Sequence, residues 1–132
     1  KIDYQMACDD LKITSMWANK SEFGGWHHGH AHPYSFLSGI YYATNSEAKT
    51  YFSLSDLWTV VGGNLMPIAP PKNLKHLQPS ARGELILFPS NLFHKVTEHK
   101  AEEPRYTISF NTFPHGQVGD FETLGGVNLE VK

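Results

Sequence analysis

Short runs of β-branched and aromatic residues, separated by glycine, proline and asparagine, recur along the whole chain. Apolar residues rarely repeat at the three- and four-residue spacing of an amphipathic helix, so the pattern predicts strands joined by turns. We predict strands over residues 11–19, 36–43, 50–54, 58–61, 84–88, 93–98, 105–112 and, more weakly, 127–131.

Seven or eight short strands with turns at this spacing are typical of an all-β sandwich, jelly roll or barrel. No cysteine–tryptophan–cysteine pattern supports an immunoglobulin-like sandwich. The segment 67–80 holds four prolines and predicts a surface loop. In a jelly-roll enzyme, such a loop would form part of the rim of the site.

The composition is that of one globular domain, which we expect to span residues 1–132. The net charge of −2 argues against a nucleic-acid partner, since such proteins are usually basic, and no apolar stretch is long enough to span a bilayer. Cys8 is the single cysteine and suits a reducing compartment, here the cytoplasm. Because Lys1 is not a start methionine, we expect a trimmed chain that lacks native N-terminal residues.

The chain contains eight histidines, and four of them lie within six residues: His27, His28, His30 and His32. On an extended chain, residues i and i+2 point to the same side, so the rings of His30 and His32 can converge on one metal ion. A third ligand must come from another strand. His94 is the best candidate, because it opens a strand directly after a short turn.

Three histidines with open coordination positions suit Fe(II) and O2 chemistry, although zinc takes similar ligands. We place His27 and His28 in the preceding loop, with His28 kept as an alternative ligand. We expect His76, His99 and His115 to be ordinary polar or packed residues.

Arg105 opens a run in which every second residue is polar. Period-two alternation sets Arg105, Thr107, Ser109 and Asn111 on one face of this strand. An arginine on a core strand is costly unless it meets an anion, and its planar fork matches a carboxylate. Arg105 and Thr107 therefore predict a carboxylate clamp near the metal. The alternative is a surface ion pair between Arg105 and one of the two glutamates at positions 102 and 103.

Together, these motifs resemble the 2-oxoglutarate (2OG)-Fe(II) oxygenases of bacteria and phages, and more broadly the prolyl-hydroxylase-like dioxygenases. The resemblance covers most of the chain, from about Trp17 to Thr112. Its motifs are Trp17-Ala18-Asn19, His30-x-His32, Ser38-Gly39-Ile40-Tyr41-Tyr42, Phe88-Pro89-Ser90-Asn91-Leu92-Phe93-His94 and Arg105-x-Thr107-x-Ser109-Phe110-Asn111.

The resemblance implies a double-stranded β-helix, a cupin-like jelly roll with few or no helices, and a dioxygenase that uses Fe(II), 2OG and O2. It implies hydroxylation of a small-molecule or peptidyl substrate in a bacterial or phage-infected cell, and it leaves the substrate and the oligomeric state open. The implied metal ligands are His30, His32 and His94, and the implied 2OG-binding residues are Arg105, Thr107 and Tyr42.

Position 32 departs from the usual family motif, which is His-x-Asp or His-x-Glu. His32 can be a neutral third ligand, the carboxylate can come from elsewhere, or the position can be vacant, as in related halogenases. We favour the first, because an imidazole reaches a metal from this position as well as a carboxylate does.

A competing resemblance, to cupins, uses Gly24-x5-His30-x-His32 and Gly83-x5-Pro89-x4-His94. The cupin glutamate is absent, and the final cupin asparagine is replaced by Glu98. This alternative predicts a metal-dependent isomerase or a thiol-dioxygenase-like enzyme with the same fold, but it does not account for Arg105. A third interpretation is a non-catalytic phage β-sandwich module.

Overall fold

The computed structural model describes residues 8–53, 75–120 and 125–132, and every regular element in these ranges is a β-strand. The strands are β1 (Cys8–Ser21), β2 (His27–His30), β3 (Leu37–Tyr42), β4 (Ser46–Ser53), β5 (Lys75–Ser80), β6 (Leu85–Pro89), β7 (Phe93–Val96), β8 (Arg105–Asp120) and β9 (Gly125–Leu129). The described part of the chain contains no helix that is long and apolar enough to cross a membrane.

The strands form two antiparallel sheets. The first has the order β1-β8-β3-β6, with β9 paired to β8, and the second has the order β2-β7-β4-β5. Along most of the sequence the chain alternates between the two sheets. This is the double-stranded β-helix, or jelly roll, and the prediction of an all-β fold with few or no helices is confirmed for the described residues.

A small apolar core fills one part of the space between the sheets. It consists of Ile40, Tyr42, Phe52, Phe88 and Leu92, which come from β3, β4, β6 and the β6–β7 turn. Alternation along these strands turns one face inward, as expected for two packed antiparallel sheets.

β8 presents its polar face to the interior. Arg105 and Thr107 are each 3% exposed, whereas the apolar side chains of Tyr106 and Ile108 are 42% and 38% exposed on the outside. Burying polar side chains is unfavourable unless they find partners. The interior next to β8 is therefore a polar-lined region rather than a continuation of the apolar core, and it contains the site described below.

The observed strands overlap all predicted runs that lie in the described residues, but two predictions about loops were wrong. Residues 75–80 form β5 rather than the end of a proline-rich loop, and Pro79 is tolerated because β5 is the edge strand of its sheet. His27 and His28 belong to β2, another edge strand, rather than to a loop. The predicted strand at 58–61 and the rest of that loop, 67–74, lie outside the described residues.

Two glycines bring aromatic rings close to the backbone beside the site. A Cβ atom at Gly29 would collide with the ring of Phe93, and a Cβ atom at Gly39 would collide with the ring of Phe110. Because β2 is paired with β7, the first contact helps to set the distance between the two strands that carry His30 and His94.

Candidate metal centre

The pairing of β2 with β7 brings two histidines face to face. His30 is the last residue of β2, and its partner across the ladder is His94 of β7. Their ring centroids are 4.3 Å apart. His32 lies just beyond the end of β2, where its backbone N–H donates a 2.8 Å hydrogen bond to the carbonyl oxygen of Ser90. Its ring centroid is 5.0 Å from that of His30 and 5.0 Å from that of His94.

The spacing of these three imidazoles fits one divalent cation. One ligand nitrogen from each ring lies within 4.8 Å of the other two, and the Nε2 atoms of His32 and His94 are 3.2 Å apart. Two imidazoles bound to a common ion at about 2.0–2.1 Å, with an angle of about 90–110°, have nitrogens about 2.9–3.4 Å apart. The observed separation falls in this interval, so the nitrogens of His32 and His94 need little rearrangement to bind one metal ion.

Backbone carbonyls fix which nitrogen of two rings can act as a ligand. The Nδ1 atom of His94 lies 2.9 Å from the carbonyl oxygen of Leu92, and the Nδ1 atom of His30 lies 2.9 Å from that of His28. A carbonyl oxygen only accepts hydrogen bonds, so both Nδ1 atoms carry the proton. The free lone pair of each ring is then on Nε2, which is the usual arrangement of a metal-binding histidine.

Burial keeps the histidine triad neutral. It lowers the pKa of His94 to about 4 and that of His32 to about 4, and the neighbouring histidines add to the effect. Burial also lowers the pKa of His30. Trp17 stacks on His32 with a centroid distance of 5.7 Å, and the ring of Phe88 meets that of His94 edge-on. At neutral pH the lone pairs are therefore available without any loss of protons.

Arg105 is buried near the start of β8 without a carboxylate partner. Its side chain is 3% exposed, and among the described residues no carboxylate oxygen lies within 4.0 Å of the guanidinium nitrogens. Its Nε atom donates a 3.2 Å hydrogen bond to Ser80 Oγ, and the guanidinium lies 5.7 Å from the centroid of the Tyr42 ring. Desolvation lowers the pKa of Arg105. This burial excludes the surface ion pair with Glu102 or Glu103, both of which are exposed.

The histidine triad and the arginine share one cavity of about 230 Å³. The residues that line it include His30, His32 and His94 together with Arg105, Thr107 and Ser109. Tyr42 is not among the lining residues. It is buried behind Arg105, and its hydroxyl shares a 2.8 Å hydrogen bond with Thr50 Oγ1. Burial raises the pKa of Tyr42, so its hydroxyl stays protonated.

Three further residues shape or support this site: Trp17 and Asn19, which the sequence marks only as part of the family motif without a role in the site, and Ser80. Trp17 and Asn19 of β1 line the cavity, and Asn19 Nδ2 donates hydrogen bonds to Thr107 Oγ1 (3.4 Å) and Ser109 Oγ (3.2 Å). The alternation of Trp17 and Asn19 within one predicted strand was a usable signal. Ser80, which supports Arg105, lies in the segment with a predicted loop, and its sequence carries no such signal.

These features define a jelly-roll protein with a histidine triad and a buried arginine in one cavity. The sequence profile of the family described as "Putative 2OG-Fe(II) oxygenase" matches residues 15–111, and the chain belongs to this family. No curated protein matches the chain in sequence.

Solved structures show the same fold. An oxidoreductase of the 2OG-Fe(II) oxygenase family from Burkholderia pseudomallei matches with a TM-score of 0.61 at 12% identity, over 80% of this chain and 46% of that one. A prolyl-4-hydroxylase from Pseudomonas putida matches with a TM-score of 0.56 at 14% identity, over 83% and 54%. The epimerase SnoN of nogalamycin biosynthesis, described as non-heme and alpha-ketoglutarate-dependent, matches with a TM-score of 0.62 at 12% identity, over 86% and 54%. The chain spans about half the length of these structures.

Proposed function

We propose that this domain is an Fe(II)- and 2OG-dependent dioxygenase that hydroxylates a small-molecule or peptidyl substrate. The observation that carries the proposal is the placement of two complementary groups in one cavity. Three neutral imidazoles offer lone pairs to a cation, and the guanidinium of Arg105, which has no carboxylate partner among the described residues, offers a charge to an anion. A dicarboxylate cosubstrate that chelates the metal at one end and needs a cation at the other fits this arrangement.

His30, His32 and His94 would hold the iron. Fe(II) held there, with 2OG as the cosubstrate, would supply the oxidative chemistry with O2, in which 2OG would be converted to succinate and CO2. The protein contributes the position of the ligands. The β2–β7 pairing fixes His30 against His94, and the backbone bond from His32 to Ser90 holds the third ring.

Arg105 would bind the far carboxylate of 2OG, and Thr107 would add a hydroxyl donor. Asn19 Nδ2 donates to the hydroxyl oxygen of Thr107, so the Thr107 O–H is free to donate to an anion. Ser80 holds the guanidinium through Nε, which leaves its terminal N–H groups for a bidentate contact. The predicted contact of Tyr42 with the same carboxylate stays a prediction, and its ring supports the guanidinium from behind.

The size of the cavity supports a compact cosubstrate. Its volume of about 230 Å³ is below the roughly 300–1,000 Å³ of pockets for drug-sized ligands. A small dicarboxylate suits this space. The substrate would then bind at the open side of the cavity, where Trp26 and His27 contribute to the lining and are exposed.

The triad contains no carboxylate from the described residues, so we propose that His32 replaces the usual Asp or Glu ligand. Three neutral ligands would not themselves compensate either charge of Fe(II). This should weaken the binding of the metal and strengthen the attraction for a dianionic cosubstrate. The cupin alternative shares the fold and the triad, but it assigns no role to the buried Arg105.

An anaerobic titration tests this function directly. Apo-protein is loaded with Fe(II), 2OG is added, and the weak visible charge-transfer band of the chelate is recorded. Air is then admitted and succinate is assayed, since turnover without substrate still consumes 2OG. We expect both signals in the unmodified protein and in the control His115→Gln, and neither in His94→Ala. An unmodified protein that binds Fe(II) but gives neither signal would contradict the proposal.

A further inference from the structure

A second group of imidazoles lies directly outside the triad. One ligand nitrogen each from His27, His28 and His30 lies within 4.8 Å of the other two. Their ring centroids are 4.8 Å (His27–His28), 4.6 Å (His27–His30) and 5.5 Å (His28–His30) apart. His30 thus belongs to both groups, which we call the outer triad (His27, His28, His30) and the inner triad (His30, His32, His94).

We propose that the outer triad is a second metal site, which captures a divalent transition-metal ion at the mouth of the cavity and passes it to the inner triad. The transfer step rests on the inner triad being the metal centre of the proposed function. Capture by the outer triad does not depend on it. Imidazole ligands select zinc, nickel, copper, cobalt and iron over magnesium and calcium.

His30 cannot serve both triads at once. Its Nδ1–H donates to the carbonyl oxygen of His28, so only Nε2 has a free lone pair. The ring lies at nearly equal centroid distances from one member of each group, 4.3 Å from His94 and 4.6 Å from His27. The two sites therefore compete for one nitrogen, and an ion held outside needs only to exchange its other ligands to move inward.

Exposure sets the direction of transfer. His27 and His28 are exposed and His30 is half-buried, whereas His94 is 4% exposed. His27 lines the inner cavity and also the shallow groove outside it. That groove contains one carboxylate and one ammonium group, from Glu98 and Lys95, so capture depends on the imidazoles rather than on local charge. An ion arriving from solvent reaches the outer triad first.

Direct measurement of metal binding tests the outer site without any assay of activity. Ni(II) binding is measured by calorimetry in the unmodified protein, in His94→Ala, in His32→Ala, and in each of these combined with His27→Gln and His28→Gln. We expect His94→Ala and His32→Ala to retain one weaker site that the two glutamine substitutions remove. Complete loss of Ni(II) binding in folded His94→Ala and His32→Ala would overturn the outer site.

The rate of loading tests the transfer. Apo-protein is mixed with Co(II) in a stopped-flow instrument, and the visible absorption of the bound ion is followed. The double variant His27→Gln/His28→Gln should load roughly tenfold more slowly than the unmodified protein, equivalent to about 1.4 kcal/mol, with its final occupancy unchanged. His115→Gln is the matched control and should load at the unmodified rate. Equal rates in the double variant would refute capture at the outer triad.

The same data separate this proposal from the proposed function. If the inner triad were not a metal site, His94→Ala would bind metal as the unmodified protein does, and the charge-transfer band with 2OG would be absent. If the inner triad bound metal but the outer triad did not, the unmodified protein would give that band and the His94→Ala variant would bind no metal.

Discussion

Arg105→Met should change stability and ligand binding in opposite directions. In the absence of a bound anion, the guanidinium is buried and has no carboxylate within 4.0 Å among the described residues. Desolvating an ion costs several kcal/mol, of which the Ser80 bond and the contact with the Tyr42 ring recover a part. Methionine has a similar length and no charge. We therefore expect the ligand-free variant to be more stable by about 1–4 kcal/mol, the range for replacing buried ionic groups by apolar ones.

Ser80 supports this expectation, because it does not lose its last partner in the variant. Its hydroxyl donates a 2.7 Å hydrogen bond to the carbonyl oxygen of Ala48, which remains when Arg105 is replaced. Binding of the dicarboxylate should suffer. Loss of a buried charged pair costs about 2–5 kcal/mol, which corresponds to a roughly 30- to 5,000-fold weaker affinity for 2OG.

Two measurements on the same samples check both effects. Thermal unfolding without ligand should show a midpoint raised by a few degrees per kcal/mol, and addition of Fe(II) and 2OG should shift it far less than in the unmodified protein. Arg82→Met is the control, since Arg82 is exposed and carries the same charge. A variant that is destabilised without ligand, yet binds 2OG with unmodified affinity, would show that Arg105 has a structural role and does not clamp the cosubstrate.

Three further predictions follow from the same geometry. First, an unfolded histidine has an ordinary pKa of 6.5, whereas burial lowers the pKa of folded His94 to about 4, so the unfolded apo-protein takes up a proton that the folded protein excludes. The free energy of unfolding should therefore fall by up to about 3 kcal/mol for this residue as the pH drops from 6.5 to 4. Urea unfolding of the unmodified protein and of His94→Gln measures this loss, and the same pH dependence in both proteins would contradict the prediction. Second, Gly29→Ala should cost about 1–3 kcal/mol through its collision with Phe93 and weaken metal binding, and Phe93→Leu should restore both in the double variant. Third, His32→Asp should bind Co(II) more tightly and 2OG more weakly than the unmodified protein in paired titrations, and weaker Co(II) binding would argue against position 32 as a ligand.

The sequence predicts a strand where the strand's own side chains alternate between apolar and polar. It does not predict a strand that forms only because a distant segment pairs with it. Alternating runs such as those of β3 and β8 carry their own signal. β2 has no β-branched residue and consists of three histidines and a glycine, and it is a strand because β7 lies beside it. β5 contains Pro79, which ordinarily argues against a strand and is accommodated only because this strand is at the edge of its sheet.

The sequence predicts which histidines form the candidate site, but His32 reaches the site for a reason other than strand alternation. The prediction that the two rings share one side requires positions 30 and 32 to lie on one extended strand, whereas His32 lies beyond the end of β2. Its position depends on the backbone bond to Ser90, a contact between distant segments that no local pattern encodes. Alternation also divided β8 into two faces, but hydrophobicity alone would have buried Tyr106 and Ile108 instead of Arg105 and Thr107.

If His32 is the third ligand, as we propose, its neutral ring changes the total charge of the site that holds Fe(II) and 2OG. If the third ligand were a carboxylate, its charge would cancel against those of Fe(II), the dianion of 2OG and the guanidinium of Arg105, and the total would be zero. With His32, the same set retains one positive charge in a cavity where burial strengthens electrostatic interactions. This excess charge favours an anionic group beside the metal and opposes a cationic one. His32→Asp removes it, so the variant should lose selectivity for anions at that position while it gains affinity for the metal, and a competition titration with small inorganic anions measures the difference.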